Sequence, residues 1–179
     1  MKQVLYFFWE IIKIFLIALL IVIPIREFVF QPFFVKGQSM EPNFHDYDYL
    51  IVDELSYRFH NPERGDVVVL KNPNNPAQKF IKRIIGLPQE TVVIEDGKVI
   101  IEKDNKSFIL DESAYLGENN FTPGNLRVTL GPDEYFVMGD NRAHSYDSRY
   151  FGPIKRKDII GKFALRVWPI PVFAHNLSY

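Results

Sequence analysis

Two residues of opposite character set the chemical question: Ser39, in Gln38-Ser39-Met40-Glu41-Pro42, and Lys82, in the apolar run Phe80-Ile81-Lys82-Arg83-Ile84-Ile85-Gly86. A serine hydroxyl is a weak nucleophile until a base takes its proton. Lysine can be that base only when neutral, which means a pKa brought down from about 10.4 toward roughly 7–8. A fall of three pH units costs about 4 kcal/mol, and burial among apolar groups can impose it. Strand alternation puts Phe80, Lys82 and Ile84 on one face, an odd place for a solubilising charge. A single strand lysine is nonetheless commonly an edge or snorkelling residue, so its company decides between the two roles. Histidine is the more usual base, and His45, His60, His144 and His175 are candidates by type. None of them sits in a local context resembling a known triad, although triads are defined by geometry rather than by order. A third polar run, Gly139-Asp140-Asn141-Arg142-Ala143-His144-Ser145-Tyr146-Asp147-Ser148-Arg149, supplies further hydroxyls and charges.

The elements that must position these groups begin with a long apolar segment. From Val4 to Ile25 the only charges are Glu10 and Lys13. As a helix this stretch spans roughly 33 Å at about 1.5 Å per residue, enough to cross a bilayer core. Glu10 and Lys13, three apart, fall on one face and can pair. Pro24 lies near the end of the stretch, where a break does little harm. The run is long and no small-x-small cleavage site follows it, so it reads as an anchor rather than a removable leader. Lys2 on one side against Arg26 and Lys36 on the other leaves orientation open. Phe28 to Val35 is apolar again and fits either a core strand or a segment dipping into the membrane interface.

The remainder reads as mainly β. Tyr49–Val52, Asp66–Leu70, Phe80–Ile85, Thr91–Glu95, Lys98–Ile101, Glu134–Met138 and Gly161–Val167 are short, rich in β-branched or aromatic residues and bounded by turn formers. Asp96-Gly97 between two of them is a strong hairpin signal. Asn72–Pro76 reads as a loop, residues 103–132 as looped structure, and no long helix is expected after the anchor. A chain of 179 residues holds one sizeable domain plus an anchor, or a domain with an insertion. The formal net charge of -1 argues against a nucleic-acid partner, and the absence of cysteine excludes disulfides, thiolate metal sites and cysteine nucleophiles.

Four boxes in order, together with the anchor, resemble the bacterial type I signal peptidase family: Ser39-Met40-x-Pro42; Arg64-Gly65-Asp66-Val67-Val68; Lys82-Arg83-x-x-Gly86-Leu87-Pro88; and Gly139-Asp140-Asn141-Arg142-x-x-Ser145-x-Asp147-Ser148-Arg149. The resemblance implies a serine endopeptidase with Ser39 as nucleophile and Lys82 as general base. Ser145 would hydrogen-bond the lysine amine, and Asp147–Arg149 and Asp140–Arg83 would be supporting ion pairs. The Ser39 N–H would be one oxyanion donor. The position that often supplies a second donor is Gly37 here, and Met40 would either flank the site or simply pack in the core.

The resemblance further implies a β-rich catalytic core over 26–88 and 134–179, with a smaller β subdomain inserted at 89–133, after the anchor at 1–25. It implies no metal and no cofactor. Substrates would be secretory preproteins with small residues one and three positions before the cut, bound as an added strand. The catalytic domain would lie outside the bacterial cytoplasmic membrane, with Trp168, Phe173 and the early phenylalanines either facing lipid or packing in the core. Two rivals stand beside this reading. An autocleaving repressor shares the chemistry but needs a DNA-binding domain where this chain has its apolar span. A non-catalytic anchored scaffold has no need of both Ser39 and Lys82.

Overall fold

The structure, a computed structural model, describes residues 2–28, 30–117 and 121–169 and, within the first helix, the side chains of 6–20 and 22. That helix, α1 (Lys2–Phe28), covers the apolar stretch and carries the expected Lys13–Glu10 pair at 2.7 Å. Its described apolar side chains stand free of the rest of the protein; Phe15 is 61% exposed and Leu20 75%. Among the described residues no helix is long and apolar enough to cross a membrane. The expected span from Val4 to Ile25 runs partly through side chains outside that description, as Phe173 and His175 also do.

Beyond α1 the chain is built of strands joined by tight turns and by longer connections, among them 35–48 and 139–153. They are β1 (Phe30–Phe34), β2 (Tyr49–Asp53), β3 (Val67–Asn72), β4 (Asn75–Gly86), β5 (Thr91–Glu95), β6 (Lys98–Lys103), β7 (Lys106–Ile109), β8 (Leu126–Thr129), β9 (Glu134–Met138), β10 (Ile154–Lys155) and β11 (Ile159–Trp168). Three four-residue helical turns, α2 (Ser56–Phe59), α3 (Ser113–Leu116) and α4 (Ser148–Phe151), and one 3-10 turn at Arg156–Asp158 complete the described elements. A seven-stranded sheet runs β1-β2-β11-β3-β4-β9-β10 and a four-stranded sheet runs β7-β6-β5-β8, with every pairing antiparallel. The chain leaves the large sheet after Gly86, builds the small sheet from residues 91–129 and re-enters at Glu134.

Several expectations need correction. The stretch 103–132 is not plain loop. Asp104 and Asn105 both take positive φ, 50° and 60°, and close a second two-residue hairpin between β6 and β7. Asp and Asn tolerate this backbone region because their short polar side chains bond locally. Asn72–Pro76 is likewise a tight turn, with β4 starting at Asn75. The apolar run after α1 forms β1, an edge strand paired to β2, with Phe34 65% exposed and the following Val35 buried.

Three apolar clusters hold the sheets. One joins Val68, Leu70, Ile84, Tyr135, Val137, Ile154 and Ile159 on one face of the large sheet. A second is shared by the two sheets, uniting Ile85, Phe136 and Met138 with Val92, Ile94, Val99 and Ile101. The third, Val35, Met40, Phe44, Leu50, Val67 and Ile81, lies beneath the turn that carries Ser39.

Candidate active site

Ser39 sits on a compact turn in which Glu41 N–H donates to the Gln38 carbonyl and Phe44 N–H to the Met40 carbonyl. Met40 is fully buried in the third cluster, so it anchors the turn from below. Lys82 stands in β4 opposite Val68 and shares the face of Phe80 and Ile84, as alternation requires. It is 3% exposed. Its Nζ donates to Ser39 Oγ at 2.6 Å and lies 5.4 Å from the Phe80 ring centre. Burial lowers the amine's pKa to about 8, against the opposing pull of Asp147 and Asp140.

The run 139–149 wraps this pair. Asn141 N–H donates to the Ser39 carbonyl at 3.0 Å, and Asn141 Nδ2 to the Gln38 carbonyl at 3.1 Å. Asp147, fully buried, accepts from Gly139 N–H and from Arg149 Nε and Nη2 at 3.0, 2.9 and 2.8 Å. Arg83 grips both oxygens of Asp140 at 2.8 and 2.6 Å and donates to the Gly65 carbonyl. The Arg64 box is structural: Arg64 Nη2 pairs with Glu90, and Asp66 accepts the Tyr57 hydroxyl.

Two site expectations differ from what is observed. Ser145 is buried beside the site, but its Oγ has no hydrogen-bond partner among the described residues, so the expected bond to the lysine amine is not formed. Gly37, at φ 89°, gives its N–H to Asp46 Oδ1 at 2.9 Å and is therefore not free as an oxyanion donor. Of the histidine candidates, His144 is exposed and its Nδ1 lies 3.2 Å from Asn141 Oδ1, while His45 and His60 are also exposed. No described histidine shares a hydrogen bond with Ser39.

In the sequence Gly139 is only one letter of its box. A Cβ there would lie 2.2 Å from the Ser39 carbonyl oxygen and 2.3 Å from Ser145 Oγ. Only a glycine lets the loop approach the serine this closely. The partners of Arg142, Glu112 and Thr122, were missed as well, and nothing local in the sequence marks them.

A cavity of about 380 Å³ opens beside Ser39 and Lys82, between Phe33–Lys36 and Ala77–Lys82. The large sheet thus curls until its first and fifth strands in spatial order share one groove. Both strands offer unpaired edges there: β1 ends the sheet, and β9 pairs with β4 only from Arg83 onward.

A family model described as "Signal peptidase, peptidase S26" matches residues 8–168. A probable signal peptidase I-2 of Synechocystis sp. is 37% identical over 168 residues, covering 90% of this chain and 74% of the relative. The signal peptidase I P of Bacillus subtilis subsp. natto is 34% identical over 169 residues, 92% and 91% of the two chains. A crystal structure of a signal peptidase I from Enterococcus faecalis superposes with a TM-score of 0.50 at 33% identity, covering 59% of this chain and 98% of the other.

Proposed function

The chain belongs to the signal peptidase family, peptidase S26, and from that membership we propose a membrane-anchored serine endopeptidase that removes signal peptides from secretory preproteins through a Ser39–Lys82 dyad. The observation that carries the proposal is the buried amine donating to the serine hydroxyl at 2.6 Å. With its pKa near 8, about a tenth of the amine is neutral at pH 7.

Neutral Lys82 takes the Ser39 Oγ proton as Oγ attacks the scissile carbonyl carbon. The Ser39 N–H, which meets no acceptor among the described residues, donates to the developing oxyanion. The tetrahedral species collapses by breaking the C–N bond, and the Lys82 ammonium protonates the leaving amine. An acyl-Ser39 ester remains, which water, deprotonated by the same lysine, hydrolyses. Ser145 acts once its hydroxyl turns to accept from the amine. Asp140 with Arg83, and Asp147 with Arg149, hold the loop.

The substrate strand occupies the groove between β1 and β4 and hydrogen-bonds to their free edges. Alternate side chains then point into the groove, which suits small residues at the first and third positions before the cut. Helix α1 is the anchor: an apolar helix whose described side chains pack on nothing else needs apolar surroundings. The catalytic domain faces the extracytoplasmic side, and exposed Trp168, Leu165 and Phe34 rest at the lipid surface.

The test is cleavage of a preprotein bearing an Ala-x-Ala site by detergent-solubilised protein, against Ser39→Ala and Lys82→Ala. Loss of cleavage in both folded variants is expected. Full activity of Lys82→Ala would overturn the lysine-base mechanism, and an inactive wild type would favour the scaffold reading.

A further inference from the structure

A second set of buried charges links the site to the small sheet. Glu112 lies just before α3, on the segment joining β7 to β8, and is 3% exposed; Arg142, in the loop around Ser39, is 5% exposed. Arg142 Nη1 donates to Glu112 Oε2 at 2.9 Å, Nη2 donates to Oε1, and Nη1 also reaches Thr122 Oγ1. Arg142 Nε donates to the Gly139 carbonyl at 3.1 Å. The Tyr115 hydroxyl donates to Glu112 Oε1 at 2.7 Å. The Tyr115 ring lies 4.1 Å from the Arg83 guanidinium, and its carbonyl accepts from Asn43 Nδ2, which also donates to Asp140.

We infer that Glu112 and Tyr115 are positioning residues for the reaction, acting through Arg142 to fix Gly139 and, by contact, the backbone of Ser39 and the Ser145 hydroxyl. The inference rests on the proposed proteolysis at Ser39. Gly139 has no slack, since its Cα faces the Ser39 carbonyl and Ser145 Oγ closer than any side chain would allow. Whatever moves its carbonyl therefore moves the site. Removing the Glu112 charge leaves a buried guanidinium seeking another anion. The next carboxylate in its electrostatic reach is Asp140, already held by Arg83 beside Lys82. Competition for Asp140 would displace the neighbours of the base, and a misplacement of about 1 Å can cost roughly 100-fold in rate.

The experiment compares full-length wild type, Glu112→Gln, Glu112→Asp, Tyr115→Phe and, as a control at an exposed position of the small sheet, Arg127→Ala. Peptide cleavage in detergent is normalised to folded protein. The expected result is a kcat lowered about 10- to 100-fold in Glu112→Gln with KM nearly unchanged, partial recovery in Glu112→Asp, and a loss of about threefold or more in Tyr115→Phe. Arg127→Ala is expected to match wild type. A kcat within about twofold of wild type in both Glu112→Gln and Tyr115→Phe overturns the inference, whatever their melting temperatures. If Glu112→Gln does not fold, Tyr115→Phe alone gives the answer. A wild type that cleaves nothing counts against the proteolytic reading instead. The positioning claim is then read from hydrogen exchange of amides 139–147, where faster exchange in the folded variants supports it and unchanged exchange overturns it.

Discussion

The two sheets share an apolar cluster, but their strands treat charge in opposite ways; Glu112, the buried charge on the connection between β7 and β8, pairs with Arg142 of the site loop. The large sheet and its loops bury Lys82, Asp140, Asp147 and Arg142 at 3, 4, 0 and 5% exposure. The small sheet buries Val92, Ile94, Val99 and Ile101 and keeps its cross-strand pair, Arg127–Glu102, at the surface with the arginine side chain 63% exposed. Desolvating an ion costs several kcal/mol even after relaxation. Stability has been given up at one end of one sheet, and that end holds the serine, the lysine and the groove. The contrast separates strand-building from site-building within a single chain.

The largest effect that would sharpen this contrast is at Lys82. Lys82→Met should lower cleavage by roughly 1,000-fold or more while making the protein more stable at neutral pH. The folded-state pKa, about 8, lies below the ordinary 10.5, so the unfolded chain binds more protons between those values. Wild-type stability should therefore rise with pH across that window, and below it the full penalty, about 3 kcal/mol at most, should persist. The variant should lack this slope. Urea unfolding at pH 7 and pH 10 checks it, and equal slopes in the two proteins would break the contrast. The wild-type cleavage rate should climb with pH toward a plateau above about 8, following the neutral amine.

Asp147→Asn removes the fully buried carboxylate of the pair with Arg149 and should destabilise by roughly 3–5 kcal/mol. A loss under about 1 kcal/mol by urea unfolding would show that the loop tolerates an unpaired Arg149. Gly139→Ala forces backbone to move rather than a flexible side-chain end, and should cost roughly 1–3 kcal/mol together with most of the activity. The smallest effect belongs to the small sheet: Arg127→Ala should change stability by less than about 1 kcal/mol.

What the sequence disclosed follows the range of the interactions. Strands with strong local patterns, such as Thr91–Glu95 and Glu134–Met138, were legible to the residue, and Asp96-Gly97 named its own turn. Lys106–Ile109 was hidden because Asp104-Asn105 is a weaker turn signal and the strand is exposed throughout. Ser39 and Lys82 are 43 residues apart. Alternation placed Lys82 on an apolar face, but only the ordered boxes suggested that it meets Ser39. The contact between Glu112 and Arg142 crosses 30 residues and two sheets, and neither propensity nor periodicity carries such information. The Ser145 hydroxyl, without a partner among the described residues, and the engaged Gly37 amide depend on local geometry that residue types do not encode.

On the proposed function, the free edge of β4 beside Lys82 is also a ruler. A chain extended along that edge advances about 3.3 Å per residue, and a slip of one residue turns every side chain to the opposite face. An erroneous cut one bond away would need the opposite set of side chains to fit the groove, and a cut two bonds away would shift the whole strand by nearly 7 Å against a fixed amine. On the proposed reading, the enzyme finds its bond by counting along a backbone ladder whose zero mark is the lysine.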